Sequence, residues 1–128
     1  MNPALNSLLV FVGAGIGANA RYWIGLWFVR RFDTAFPWAT LVINIVGSLA
    51  IGIAVGYMLQ QGDAPRWRLL VVVGLLGGFT TFSTFSNETM AMLNHGAYGR
   101  AIGYVAASVV LGVAGCCLGW LAGRAIGA

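Results

Sequence analysis

Residues 77–86, GGFTTFSTFS, interrupt an apolar stretch that carries no charged residue between Arg68 and Glu88. Two adjacent glycines loosen a helix, and hydroxyl and phenylalanine side chains then follow closely. In lipid, every backbone N–H and C=O group needs a partner, so a broken helix persists only where it is buried in protein or lines a cavity. Broken membrane helices often form ion sites. We therefore predict a channel or transporter whose third helix is broken between Gly77 and Thr81.

The composition indicates a membrane protein. Of 128 residues, 59% are hydrophobic and only 8% are charged, whereas about a quarter of the residues in a soluble domain are charged. A membrane-spanning helix needs about 20 mostly apolar residues. Four such helices fit, at residues 5–29, 36–61, 67–93 and 98–123. We predict an all-α membrane protein with four transmembrane helices in a single domain, residues 1–128. We expect the first helix to be retained, because no basic segment precedes it and it is too long for a signal peptide.

The arginines are shared evenly between the two ends of the predicted bundle. They are Arg66, Arg68 and Arg124 at the end that carries the termini, and Arg30, Arg31 and Arg100 at the other. An excess of basic residues on one side fixes orientation in the membrane, and here there is none. The even count favours insertion in both orientations and an antiparallel, dual-topology homodimer. A single topology fixed by other cues stays open. The scattered arginines do not form the basic patch that a nucleic acid would require.

Small residues predict close helix packing. Glycines four residues apart let membrane helices approach closely. The pairs are Gly13 and Gly17, Gly52 and Gly56, Gly115 and Gly119, and Gly119 and Gly123. Cys116 and Cys117 are adjacent and lack the spacing of zinc ligands, so we expect them to be small apolar core residues.

Two pairs of polar residues share a face within a predicted helix. Asn44 and Thr40 are four residues apart on one face of the second helix, as are Tyr104 and Ser108 on the fourth. Such residues either bond neighbouring helices or line a pore. Both interpretations stay open for each pair.

Phe82 and Phe85 share one face of the third helix, with Ser83 and Thr84 between them. Aromatic rings carry a positive edge. A ring presented edge-on would favour an anion without the full charge that would trap it, and conduction requires binding that is favourable but escapable.

Arg21 and Glu88 are charged residues that lie away from the ends of their predicted helices. Arg21 either extends to the membrane surface or forms an electropositive vestibule that attracts anions. Glu88 is a proton site, a partner for the nearby hydroxyls, or a residue close to the interface. We find no ATP-binding motif, no nucleophile paired with a base and no metal-ligand cluster, so we do not predict an enzyme.

Three segments together resemble the Fluc fluoride channels, the CrcB family. They are residues 17–22 (GANARY), residues 40–48 (TLVINIVGS) and residues 77–86. Ala39, Ile43 and Asn87 depart from the residues that are commoner in that family. None of these three is among the residues that we assign to a pore.

The resemblance implies a passive channel that exports fluoride across the bacterial cytoplasmic (inner) membrane, with two pores per antiparallel homodimer. It implies that ring edges of Phe82 and Phe85 and the amide of Asn44 face the ion. It also implies that backbone carbonyls of Gly77 and Thr80 bind a central structural sodium ion. The remaining pore residues are Thr40, Ser83, Tyr104, Ser108 and Glu88, and Arg21 corresponds to the first-helix arginine.

Two other functions remain open from the sequence. The first is a proton-coupled small multidrug exporter, since such exporters are also four-helix, dual-topology dimers. Their essential acidic residue lies in the first helix, where this chain has Arg21 and no acid. A membrane adaptor without transport would use the polar residues only to hold its helices together.

Overall fold

The computed structural model describes residues 2–62 and 64–128, which form helices and contain no β-strand. Four helices are long and apolar enough to cross a membrane. We call them span 1 (Pro3–Arg31), span 2 (Trp38–Gln61), span 3 (Pro65–Asn94) and span 4 (Tyr98–Gly127). The predicted all-α fold with four potential membrane helices is confirmed. Span 2 begins two residues later than predicted, after Pro37 at the N-cap.

Span 3 changes its winding along its length. It starts with the short α-helix Pro65–Trp67, continues as the π-helix Arg68–Leu76, and returns to α-helix at Gly77–Phe79. Thr80 and Thr81 then have extended backbones, with φ −83° and ψ 158° for Thr80 and φ −151° and ψ 116° for Thr81. The α-helix resumes as Phe82–Asn94. Gly77 and Gly78 are helical, so the extended residues lie beyond the glycines.

The two parts of span 3 pack against different neighbours. Residues before Thr80 pack mainly on span 1, whereas Phe82–Asn94 packs mainly on span 4. Spans 2 and 4 form the most extensive helix pair. The extended residues Thr80 and Thr81 therefore lie where span 3 passes from one neighbour to the other.

Glycines allow spans 2 and 4 to pack closely, as the small-residue motifs predict. A Cβ atom at Gly52 would overlap the Cys116 carbonyl oxygen, and one at Gly119 would overlap the Leu49 carbonyl oxygen. Backbone thus lies against backbone between spans 2 and 4, which favours dispersion contacts in lipid. Cys117 is exposed, contrary to its predicted core position.

The interior is small, and most of the outward surface is apolar. The cluster of Leu41, Met92, Ala101 and the fully buried Tyr104 occupies the region between spans 2, 3 and 4. Large apolar side chains such as Phe11 are exposed along the spans. Such a surface suits contact with lipid chains rather than water.

Candidate functional site

Asn44 of span 2 and Thr81 of span 3 bond each other reciprocally. The Thr81 N–H donates to Asn44 Oδ1 at 3.0 Å, and Asn44 Nδ2 donates to the Thr81 carbonyl at 3.4 Å. A backbone N–H can only donate, so it fixes which amide atom faces it. Asn44 thus satisfies backbone groups that an α-helix would have paired internally.

This bonding leaves two backbone carbonyls without their usual helical partners. In a continuous α-helix, the Thr81 N–H would bond the Gly77 carbonyl and the Thr84 N–H would bond the Thr80 carbonyl. Instead, Thr81 N–H bonds Asn44 Oδ1, and Thr84 N–H bonds the Thr81 hydroxyl at 3.3 Å. The Gly77 and Thr80 oxygens are therefore available to another donor or to a cation.

Thr81 also starts the helix that follows it. Its hydroxyl accepts the Thr84 N–H as an N-cap and donates to Thr84 Oγ1 at 3.1 Å. The Ser83 hydroxyl lies 3.3 Å from Thr81 Oγ1. Threonine is a preferred N-cap because it satisfies one of the unpaired N–H groups of the first helical turn. The hydroxyls of this segment thus fix where the second part of span 3 begins.

A groove of about 360 Å³ lies beside this segment, between spans 2, 3 and 4. We call it the phenylalanine groove; its lining includes Asn44, Ser48, Thr80, Thr81, Phe82, Phe85 and Ser108. The Ser108 hydroxyl oxygen is buried and has no hydrogen-bond partner within residues 2–62 and 64–128. A buried hydroxyl without a partner is unfavourable, and Ser108 is one of the residues that line this groove.

The two phenylalanines differ in environment. Their ring centroids are 5.6 Å apart and the rings are tilted by 41°. Phe85 is half-buried, with its ring centroid 5.1 Å from that of Tyr104, whereas Phe82 is 79% exposed. Phe85 is thus fixed by its neighbours, while Phe82 extends from the surface of the single chain.

Glu88 lies in a partly buried hydrogen-bonded cluster. Thr40 Oγ1 donates to Glu88 Oε1 at 2.8 Å, and the Tyr104 hydroxyl donates to Oε2 at 2.7 Å. Thr40 is buried and Tyr104 is fully buried. Each carboxylate oxygen therefore has a neutral donor from a different span. Of the roles left open for Glu88, the structure shows that of a partner for hydroxyl groups.

A second groove, of about 420 Å³, lies on another side of span 3. We call it the arginine groove; its lining includes Arg21, Thr40, Thr81, Thr84 and Glu88. Glu88 also lines a cavity of about 560 Å³ at the end of the molecule that carries the connection between spans 1 and 2. Glu88 thus borders both of these spaces.

Most of the site residues predicted from the sequence are brought together, in two groups. Asn44, Thr80, Phe82, Phe85 and Ser108 line the phenylalanine groove. Arg21, Thr40 and Glu88 line the arginine groove, and Tyr104 bonds Glu88 beside it. Gly77 and Ser83 are exposed and are absent from the linings of both grooves.

Sequence reasoning missed four polar residues of the two grooves: Tyr22, Ser48, Thr81 and Thr84. Thr81 carries most of the local hydrogen bonds, because it both caps a helix and faces Asn44. A threonine placed before a helical turn is a recognisable N-cap signal. The long-range contact with Asn44 has no such signal.

The sequence matches a known family over most of its length. The family profile described as "CrcB-like protein, Camphor Resistance (CrcB)" matches residues 8–120. A protein of Bordetella petrii named "Fluoride-specific ion channel FluC" is 46% identical over 123 residues, which cover 95% of this chain and 94% of the relative. Proteins of the same name from Methylobacterium nodulans and Chloroflexus aurantiacus are 47% and 46% identical, covering 87% and 95% of this chain and 90% and 98% of the relatives. These relatives are named as channels, and channels are not a class of enzyme. Because the family profile and the relatives cover most of the sequence, the chain belongs to the CrcB family, and with its four potential membrane helices it is a multi-pass membrane protein.

Proposed function

We propose that this protein is a passive, fluoride-selective channel. The relatives that are similar over nearly the whole chain are named fluoride-specific ion channels. The observation that carries the proposal is the phenylalanine groove, where the unpartnered Ser108 hydroxyl, the Asn44 amide and two aromatic rings line one space. These groups are neutral, so they suit an anion that must bind and then leave.

Fluoride would be held by several weak donors in place of its hydration water. Asn44 Nδ2 has one N–H directed at the Thr81 carbonyl over a long 3.4 Å bond, which leaves its other N–H for the ion. The Ser108 hydroxyl and the positive edges of the Phe82 and Phe85 rings supply the other contacts. The Arg21 guanidinium in the neighbouring groove raises the local anion concentration. The remaining proposed pore residues are Thr40 and Glu88, which line the arginine groove, Tyr104, which bonds Glu88 beside it, and the exposed Ser83.

The channel would be an antiparallel, dual-topology homodimer with two pores. Phe82 is 79% exposed, and Ser83 and Ser86 beside it are exposed too. Polar groups are unfavourable against lipid, which supports a second copy over this face. Three arginines lie at each end of the bundle, which supports insertion both ways. Tags on the N terminus should be accessible from both faces of the membrane; access from one face only would refute dual topology.

A sodium ion between the two copies is part of this proposal, and the chain fits it. The Gly77 and Thr80 carbonyls lack their helical partners, and neutral oxygens suit a hard alkali cation. One chain offers two such oxygens, so two copies would offer four. A bound cation would supply fixed positive charge that joins the copies.

Sodium removal should therefore weaken the assembly. If sodium is replaced by N-methylglucamine, we expect the dimer to dissociate at a lower detergent concentration and at a higher protein concentration than in sodium, and fluoride flux to fall. The measurement is light scattering of the purified protein in both salts. Equal dimer stability in both salts would exclude a structural role for sodium.

The membrane is proposed to be the bacterial cytoplasmic (inner) membrane. A potential that is negative inside drives an anion outward by about 2.3 kcal/mol per charge per 100 mV. Passive conduction would therefore export fluoride without proton coupling.

Fluoride efflux from liposomes tests the proposal. Purified protein should release trapped fluoride under a potassium–valinomycin potential, while liposomes with chloride release far less. Equal chloride release, or no fluoride release, would overturn it. Proton-driven uptake of an organic cation would instead indicate a multidrug exporter, and a folded dimer without flux of any ion would indicate an adaptor.

A further inference from the structure

Two glycines from different spans enclose the point where span 3 becomes extended. A Cβ atom at Gly17 of span 1 would overlap the Leu75 carbonyl oxygen and lie 2.9 Å from the Phe79 nitrogen. One at Gly47 of span 2 would overlap the Thr80 methyl group and lie 3.2 Å from the Phe79 ring. Both glycines are buried. A methyl group would fit at position 17 only if Leu75 and Phe79 moved, and at position 47 only if Thr80 and Phe79 moved.

Thr80 is held in one orientation against Gly47. Its hydroxyl and its backbone N–H both donate to the Leu76 carbonyl, each at 3.1 Å. A β-branched side chain has few alternative rotamers. Turning the methyl group away from Gly47 would break the hydroxyl bond to Leu76, so a larger residue at position 47 would displace the backbone instead.

Any displacement here is passed on to the Asn44–Thr81 pair. Thr81 follows Thr80 directly, and its N–H bonds Asn44 Oδ1 at 3.0 Å. Asn44 is three residues before Gly47, on the same face of span 2. Packed interiors transmit strain rather than absorb it. The contact of Gly47 with Thr80 and the bond of Asn44 to Thr81 therefore fix the position of these two residues jointly.

The π-helix that precedes Thr80 is also held closely, by glycines of span 1. The π-helix Arg68–Leu76 lies against span 1, where Gly13 meets Leu70 and Gly74, and Gly17 meets Leu75. π-helical winding is rare and frequently occurs at functional sites. The close contact at Gly17 therefore fixes the end of the π-helix against span 1, and with it the positions of Phe79 and Thr80, which follow.

We propose that Gly17 and Gly47 are positioning residues for ion conduction. They clamp Phe79 and Thr80 from two sides, so that Thr81 reaches Asn44 and the Thr80 carbonyl keeps its place. Neither glycine touches the ion. The expected loss of fluoride efflux rests on the proposed channel function. The expected change at the Thr81 amide rests on the structure alone.

The first test compares two alanine substitutions on span 1. Gly17→Ala should lower fluoride efflux per dimer by about tenfold or more, because overpacking a tight contact shifts the backbone around it. Gly15→Ala is the matched control, because a Cβ at Gly15 has no neighbour within 4 Å; its efflux should equal that of the unmodified protein. Hydrogen exchange of the Thr81 amide should accelerate in the first variant only.

The second test is a rescue on span 2. Gly47→Ala should lower efflux and accelerate Thr81 exchange in the same way. Adding Thr80→Ser removes the methyl group that the new Cβ would meet and keeps the hydroxyl bonded to Leu76. The double variant should therefore recover much of the efflux that Gly47→Ala loses, relative to Thr80→Ser alone. This pair carries the test if Gly17→Ala yields no folded dimer.

Gly52→Ala tests whether overpacking any close helix contact, rather than the contacts at Gly17 and Gly47, disturbs Thr81. Its Cβ would overlap the Cys116 carbonyl oxygen between spans 2 and 4, a contact as close as those of the clamp. The proposal is overturned if Gly52→Ala accelerates Thr81 exchange as much as Gly47→Ala does, or if neither clamp variant changes it. If the unmodified protein conducts no fluoride, the channel function fails, while Thr81 exchange still decides whether the clamp exists.

Discussion

Replacing Asn44 with leucine should abolish fluoride flux and also destabilise the fold. Leucine removes both bonds to Thr81 and leaves the Thr81 N–H without a partner. An unpaired buried donor costs about 1–3 kcal/mol. The same change removes the amide that lines the phenylalanine groove. We expect efflux from liposomes to fall roughly a hundredfold or more and thermal unfolding to occur at lower temperature.

The Asn44→Asp variant separates the two roles of this side chain. It keeps an oxygen acceptor for the Thr81 N–H but loses the donor for the ion and introduces a negative charge that repels anions. We expect no measurable fluoride flux from this variant, with slow Thr81 amide exchange preserved. Fluoride flux close to that of the unmodified protein would show that the Asn44 amide donates no bond to the ion.

Replacing Phe82 with isoleucine should lower fluoride flux about tenfold or more while dimers persist. The side chain is 79% exposed in the single chain, so the substitution removes few contacts within the protomer. It does remove the polarised ring edge from the groove. Flux per dimer, measured by a fluoride electrode and normalised to the dimer fraction from size exclusion, is the appropriate readout.

Phe11→Ile is the matched control for this substitution. Phe11 is 75% exposed on span 1 and is absent from the linings of both grooves. The same change of shape and hydrophobicity should therefore leave flux intact there. Equal loss from both substitutions, or undiminished flux in Phe82→Ile, would contradict a role for the ring edge.

The architecture could be predicted from composition, because a chain with so few charges offers only four apolar stretches of spanning length. Small-residue spacing also indicated the close contact between spans 2 and 4 that Gly52 and Gly119 make. These features depend on local residue types and on helical periodicity. They need no knowledge of which helices are neighbours.

The details of span 3 could not be predicted in this way. The π-helix Arg68–Leu76 has no distinct residue preference, and it lies against the glycine face of span 1. The extended residues are Thr80 and Thr81 rather than the helical Gly77 and Gly78, because Thr81 has both an N-cap role and a partner in Asn44. Asn44 and Thr81 are 37 residues apart in sequence, so periodicity carries no information about their contact.

The polar face of span 2 illustrates the same limit. The spacing of Thr40 and Asn44 predicted that they share a helix face, which suggested one polar lining. In the structure they have different partners, since Thr40 bonds Glu88 and Asn44 bonds Thr81. They line different grooves on the two sides of span 3. The identity of the ion, in turn, depends on the resemblance to named relatives and not on this geometry.

The reversal potential of the purified protein in a planar bilayer is the most direct test of passive, fluoride-selective conduction. Fluoride and chloride gradients are set in opposite directions, and a pH gradient is then added. A passive fluoride channel predicts a current that reverses at the fluoride equilibrium potential, roughly 60 mV for a tenfold gradient, with no shift when the pH gradient is imposed. Reversal at the chloride potential, or a reversal that moves with the pH gradient, would contradict it.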